Sequence, residues 1–302
     1  AAELGVDLRR LSGSGPYGRL VRADVLAAAA TGATASAVAA TAPALAAAMA
    51  PPAAPPAAGA MPSAGDERVE LSATRRTIAR RMVASRTEIP EFTVTREIDM
   101  TAAVALRRQL ADADRRVSVN DLVVKAAALA LREGPALNAS WGGDHVVRHA
   151  RVNVGVAVAA GDALLVPVIA DADRKSLPEI AAEARALGEQ ARARTVSPAA
   201  LSGATFTVTN LGMLGVLNFT AVIDAPQVAI LAAGAVVRRP VFDEAGAVVA
   251  RDLMQVSLTC DHRAVYGADG ARFLQRLAEL LEHPTLLLLP PAAATNDEKD
   301  AR

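Results

Sequence analysis

Residues 257–270 read SLTCDHRAVYGADG. Val256, Leu258 and Cys260 alternate with polar neighbours, so Met254–Thr259 reads as a strand. A tight turn follows, and then a helix flanked by Gly267 and Gly270. A strand end beside a turn can present a side chain to a cleft. The residue presented here is His262, and neutral imidazole is the usual general base near pH 7. Cys260 is a rival nucleophile. The alternation puts it on the apolar face with Val256 and Leu258, which favours a buried, inert thiol.

A second stretch belongs with the first. Residues 203–215 read GATFTVTNLGMLG. Thr205–Thr209 reads as a strand, leaving Thr207, Thr209 and Asn210 near its end, ahead of two glycines. Hydroxyl and amide donors at such a place could stabilise an oxyanion. Threonine is also a common strand residue, so this segment alone decides nothing.

Periodicity extends the pattern outward. Ser72–Arg86 reads as a helix, with Ile78 and Met82 one turn apart. Glu91–Ile98 alternates as a strand. Ser118 with Asp121, and Ser176 with Glu179, form capping boxes ahead of two further helices. The first runs to about Arg132; the second tolerates Pro178 in its first turn and carries Ile180, Ala184 and Leu187 on one face. Val152–Val158, Leu164–Ile169 and Val228–Val237 read as strands. The last helix, Asp269–Glu282, turns Phe273, Leu277, Leu280 and Leu281 inward. Strands and helices mix without strict alternation, which predicts an α/β or α+β layer fold.

Composition narrows the function classes. The chain has 302 residues, with 32 Lys+Arg against 32 Asp+Glu. That balance gives no electrostatic case for nucleic-acid or membrane-surface binding. A single Cys excludes an internal disulfide framework and a multi-cysteine zinc site. His145 and His149 stand four apart without a nearby third ligand, so they read as structural or solvated, and no metal is expected. His283 closes the last helix, where the helix dipole suffices as its partner. The longest clean apolar run, Val228–Val237, is too short to span a bilayer at about 20 residues. With no signal-peptide pattern at the start, a cytoplasmic protein is the expectation. Residues 31–67 are mostly Ala, Pro, Gly, Ser and Thr, and read as a disordered, semi-rigid linker. The 52% hydrophobic content therefore overstates the core, because about 70 residues are Ala, which buries little area.

The stretches RRTIARRM, VNDLVVKAAALAL, LNASW, RKSLPEI, TFTVTNLGMLG, FTAVIDAPQVAILAAGA and LTCDHRAVYGADGARFL resemble, in order, the catalytic domain of the dihydrolipoamide acyltransferases of 2-oxo acid dehydrogenase complexes. The resemblance covers residues 68–289. Residues 1–30, with GVDLRRLSGSGPYGRLVRADV, resemble that family's peripheral subunit-binding domain with its first helix cut short. Residues 290–302 read as a disordered polar tail.

This resemblance implies a chloramphenicol-acetyltransferase-like fold and acyl transfer between a dihydrolipoyl thiol and coenzyme A, the latter as substrate. His262 would be the general base and Thr209 the oxyanion donor. A homotrimer, possibly within a larger core, would carry the sites between neighbouring chains. The partners implied are a 2-oxo acid decarboxylase and dihydrolipoyl dehydrogenase. The lipoyl group would come from a domain outside this chain, whose three Lys fall in the catalytic region and tail.

One position departs from the family pattern. Where His-x-x-x-Asp-Gly is usual, with an amide sometimes replacing the acid, this chain has Tyr266 before Gly267. A Tyr hydroxyl can hydrogen-bond an Arg but carries no charge near pH 7. Two alternatives stand beside the enzyme reading: a structural or docking subunit with an impaired site, and a free-standing small-molecule O-acetyltransferase.

Overall fold

The computed structural model describes residues 24–25, 65–113, 115–161 and 163–289. The small domain expected at 1–30, the linker at 31–67 and the tail at 290–302 lie almost wholly outside the described residues. The chain divides into two units, Ala1–Arg68 and Val69–Arg302, and the elements below all belong to the second.

Among the described residues of the second unit, five α-helices and ten strands follow in order: α1 (Ala73–Glu88), β1 (Glu91–Asp99), α2 (Thr101–Asp112), α3 (Val119–Glu133), β2 (Ala139–Trp141), β3 (Val146–Arg148), β4 (Val154–Val156), β5 (Val158–Ala160), β6 (Ala163–Leu165), β7 (Val168–Ile169), α4 (Leu177–Ala193), β8 (Phe206–Asn210), β9 (Ala229–Phe242), β10 (Val248–Asp261) and α5 (Gly267–Glu282). Six strands form one sheet in the order β1-β10-β9-β8-β4-β7. β8 runs parallel to β4 and β9, and the other pairs are antiparallel. The mixed α/β layers agree with the fold class expected from the pattern.

Local chemistry sets the helix starts. Ser72 Oγ accepts from the Arg75 N–H at 3.2 Å at the head of α1. Ser118 and Asp121 close a reciprocal box on α3, with Asp121 N–H on Ser118 Oγ at 3.2 Å and Ser118 N–H on Asp121 Oδ2 at 2.7 Å. The Ser176 N–H donates to Glu179 Oε2 at 2.7 Å ahead of α4. α2 has no such signal: Met100 occupies its cap, and the Asp99 carboxylate instead accepts from the Thr101 N–H at 2.9 Å. That is why the pattern alone does not announce it.

The core lies on one face of the sheet. Phe206 and Val208 of β8, Leu231 of β9, and Val256, Leu258 and Cys260 of β10 pack there against α3 and α5. α3 is buried continuously from Asp121 to Leu131, and its run of alanines lets the layers approach closely. α5 buries Phe273, Leu277, Leu280 and Leu281, each worth about 1.5–3 kcal/mol. The other face carries alternate residues: Thr93 and Thr95, Ser257 and Thr259, Ile230 and Ala232, Thr207 and Thr209. Ile230 and Ala232 are covered by a second, smaller cluster with Ile89, Ala221 and Ile223.

Two expected strands are each divided. Val152–Val158 becomes β4 and β5, and Leu164–Ile169 becomes β6 and β7. β5 and β6 pair as a separate hairpin, while β4 and β7 stay in the main sheet. Pro167 stands at the break, where it cannot donate to a ladder but its carbonyl accepts from the Val156 N–H at 2.9 Å. The β2–β3 hairpin, which carries Trp141, is also absent from the periodicity reading. No helix among the described residues is long and apolar enough to cross a membrane.

Candidate functional site

His262 leaves β10 directly after Asp261, and its presentation is tightly specified. Its backbone N–H donates to the Pro90 carbonyl at 3.0 Å. Asp261, almost fully buried, takes Arg263 in a forked ion pair, with Nη2 to Oδ2 at 2.7 Å and Nε to Oδ1 at 2.9 Å. Arg263 also donates to the Glu88 carbonyl at 3.1 Å, and its guanidinium lies 4.8 Å from the centre of the Trp141 ring. Asp261 raises the Arg263 pKa further, mainly through these hydrogen bonds. The residues on either side of His262 are thus clamped to each other, and the imidazole between them is exposed.

Two rings flank that imidazole. Phe92 of β1 stands 4.6 Å away between ring centroids, and Tyr266 stands 6.0 Å away, edge-on. Tyr266 occupies the N-cap position of α5, with its N–H on Asp269 Oδ2 at 3.2 Å, and the residue is 65% exposed. The charge-assisted pair beside the histidine is made by Asp261 with Arg263, not by position 266.

Cys260 is fully buried, and burial, aided by Asp269 and Asp261, pushes its thiol up to about 12. That thiol is inert at neutral pH, as its place in the alternation predicts.

Thr209 lies on the opposite face from Phe206 and Val208, half-buried near the end of β8. Its face opens on a cavity of about 710 Å³, lined by Ile78 and Arg81 of α1, Leu164, Phe219 and Asp224 among others. Burial holds the Asp224 carboxyl above the usual range, against the opposing pull of Arg81. The chain leaves β8 under close constraint. A Cβ on Gly234 would stand 1.9 Å from the Leu217 carbonyl oxygen, and one on Gly212 would stand 2.5 Å from the Gly234 oxygen. Only hydrogen at these positions lets the 211–217 segment lie against β9, where the Ala235 N–H donates to Val216 at 2.8 Å. Asn210 faces the core instead: its Nδ2 donates to Asn120 of α3 at 3.2 Å, and its Oδ1 accepts from the Gly212 N–H at 2.8 Å. Thr207 is tied to Gln227 at 2.8 Å. Of the three donors named from the sequence, Thr209 alone has neither a partner of this kind among the described residues nor full burial.

The register separates His262 from Thr209 within one chain. Thr209 pairs with Ala232, and Ala232 with Ser257. His262 lies five residues beyond Ser257, so the two are roughly 10 Å apart across the sheet and about 16 Å along it. One chain does not bring them together.

A basic groove of about 700 Å³ runs from Asn210 and Met213 to the edge of α4. Arg107, Arg116, Arg185 and Arg192 line it, and Arg107 Nε is buried with no partner among the described residues. The sequence pattern does not reveal this groove, because its arginines are scattered over two helices and a loop.

His145 Nδ1 pairs with Asp144 at 2.7 Å on the surface, His149 Nε2 bonds Ser140 Oγ at 2.8 Å, and His283 caps α5. Among the described residues, no group of three or more His, Cys, Asp and Glu could hold a metal.

Comparisons bear on this arrangement. A family model described as 2-oxoacid dehydrogenases acyltransferase (catalytic domain) matches residues 63–289, and one described as an e3 binding domain matches residues 1–26. The chain is 39% identical over 298 residues to the dihydrolipoyllysine-residue acetyltransferase component of the pyruvate dehydrogenase complex of Rhizobium meliloti (strain 1021), covering 96% of this chain and 66% of the relative. It is 34% identical over 291 residues to the lipoamide acyltransferase component of the branched-chain alpha-keto acid dehydrogenase complex of Bacillus subtilis (strain 168), covering 93% and 69%. The chain spans about half to two thirds of the length of the curated relatives it matches. A solved dihydrolipoamide acetyltransferase from Azotobacter vinelandii superposes with a TM-score of 0.71 at 34% identity, covering 78% of this chain and all of that one. That work concerns the role of a serine, a histidine and an asparagine in its catalytic mechanism, the last two standing four positions apart. His262 and Tyr266 have the same spacing.

Proposed function

This chain belongs to the 2-oxoacid dehydrogenase acyltransferases, and from that premise we propose that it moves an acyl group between a dihydrolipoyl thiol and coenzyme A, using His262 of one chain with Thr209 of a neighbour. The observation that carries the shared site is the register. Two groups suited to one reaction lie on the same protein but at distant points of one sheet.

A thiol is a poor nucleophile until deprotonated. In the proposed reaction the His262 imidazole takes the proton of the coenzyme A thiol. The thiolate attacks the acyl thioester carbonyl, and the Thr209 hydroxyl donates to the tetrahedral oxyanion. Collapse breaks the bond to the dihydrolipoyl sulfur, which recovers the proton from His262. No metal is needed at any step. The cavity beside Thr209 suits the acyl and lipoyl chain, being lined largely by apolar side chains. The arginine groove suits the phosphates of coenzyme A, because guanidinium forks match phosphate oxygens.

The e3 binding match over residues 1–26 supports docking of dihydrolipoyl dehydrogenase by that segment, within a complex that also holds a 2-oxo acid decarboxylase. We read residues 31–67 as the linker that joins this module to a catalytic domain over 68–289, with 290–302 as a tail.

Mixing tests the shared site. His262→Ala and Thr209→Ala chains, each inactive alone, are dissociated together and reassembled. Acyl transfer from acyl-CoA to free dihydrolipoamide should return to about a quarter of the parental rate, since random trimers pair an intact His with an intact neighbouring Thr that often. No recovery from correctly assembled mixtures would place both groups within one chain and overturn the reading.

A further inference from the structure

We propose that Phe92 and Tyr266 form an aromatic clamp that orients the His262 imidazole, making Tyr266 a positioning residue rather than a damaged one. The inference rests on the general-base reading of His262 and adds to it how this chain aims the ring.

The backbone of His262 is fixed by the Pro90 carbonyl and by the Asp261–Arg263 pair on either side of it. These contacts leave the two side-chain torsions free. A general base must keep its nitrogen within hydrogen-bond reach of the proton it takes, and small misplacements are costly. The only side-chain rings against the imidazole among the described residues are Phe92, at 4.6 Å and 49°, and Tyr266, at 6.0 Å and 74°. Both separations fall in the range where tilted and edge-on aromatic pairs are favourable, and each contact biases an exposed ring toward one orientation by up to about tenfold.

The placement of Tyr266 points the same way. Its backbone is held from both sides, with its N–H on Asp269 and its carbonyl accepting from the Asp269 and Gly270 N–H groups at 3.0 and 3.2 Å. The residue is nonetheless 65% exposed and lies outside the core. A large aromatic that packs little within its own chain, anchored at its backbone and edge-on to a histidine, is suited to holding that histidine. Phe92 supplies the other wall from β1, where it pairs with Cys260 and packs partly into the core. The polar lock beside the histidine is already provided by Asp261 with Arg263, so position 266 is free to act by shape.

The test uses the assembled full chain and acyl transfer from acyl-CoA to free dihydrolipoamide. Tyr266→Ala should lower kcat about tenfold, with KM for both substrates and the melting temperature unchanged. Tyr266→Phe should restore kcat to within about twofold of the parent, because the ring and not the hydroxyl makes the contact. Phe92→Leu should repeat the kcat loss; if it fails to fold, the Tyr266 pair decides alone. Parental kcat in Tyr266→Ala, or a Tyr266→Phe variant as slow as Tyr266→Ala, overturns the clamp. Parental kcat in His262→Ala overturns instead the general-base reading beneath it, so the two failures are told apart.

Discussion

At the His262 end of the sheet, the chain leaves β10 under a carbonyl acceptor, a forked ion pair, a cation–π contact and two flanking rings. At the Thr209 end, the chain leaves β8 with two glycines pressed against backbone and a hydroxyl over an open cavity. The first end is specified by charge and aromatic contact, the second by the absence of side chains. Directed, short-range contacts aim one imidazole well. Close backbone approach clears room for a ligand and leaves a donor facing it. In the proposed reaction each end supplies one of the two groups.

The sharpest way to break this comparison is to remove each functional group. His262→Ala should lower kcat by about 10²–10⁴, the usual worth of a positioned base. Thr209→Ala should lower it by about 10²–10³, the worth of one oxyanion donor. Steady-state acyl transfer measures both. Equal KM values in the two variants would agree with groups that act in the transition state, whereas a Thr209→Ala variant impaired only in KM would make that hydroxyl a binding group.

A smaller effect tests whether the His262 end depends on its ion pair. Asp261→Asn leaves the Arg263 guanidinium partly buried beside a neutral amide. Stability should fall by about 2–3 kcal/mol, less than for a wholly buried pair because Arg263 is 29% exposed. Denaturant unfolding of the assembled protein measures this. A loss below about 0.5 kcal/mol would mean that the turn is set by backbone geometry, as at the other end.

An effect of similar size concerns a buried charge on the Thr209 side. α3, which carries Asn120 against Asn210, also carries Lys125, whose Nζ donates to the carbonyls of Asp173 at 3.0 Å and Lys175 at 2.6 Å. Burial, reinforced by Arg132, brings its pKa down from 10.5 to about 8. The folded-state value lies below the unfolded one, so the neutral form is favoured on folding. The associated stability is complete above pH 10.5 and is lost as pH falls through about 8. Parental stability should therefore rise by up to about 3 kcal/mol between pH 8 and 10.5, relative to Lys125→Met over the same window. Urea titrations at several pH values measure the slope. Parallel slopes in the two proteins would show that Lys125 keeps its proton throughout.

Much of the site is legible in the chain itself. Alternation through Val256, Leu258 and Cys260 buries the thiol and leaves His262 at the strand end, because side chains of a strand alternate faces whatever packs against them. The same rule sends Phe206 and Val208 to one face of β8 and Thr207 and Thr209 to the other. The capping boxes of α3 and α4 are local and read directly. α2 and the β2–β3 hairpin are not legible, because the carboxylate that starts α2 belongs to the preceding strand and the hairpin is too short to show a period. The division of Leu164–Ile169 hinges on Pro167, whose effect depends on which strands lie beside it.

By itself, then, the sequence determined which residues face the core, which side chains stand at strand ends, and which family these motifs resemble. All of these are set within a few residues of chain by period, caps and turns. Tertiary structure alone decided that His262 and Thr209 lie far apart in one subunit and that Phe92 stands against the imidazole. Those outcomes depend on register between strands distant in sequence, β1 with β10 and β8 with β9. A shift of one residue in either pairing would send every side chain to the other face.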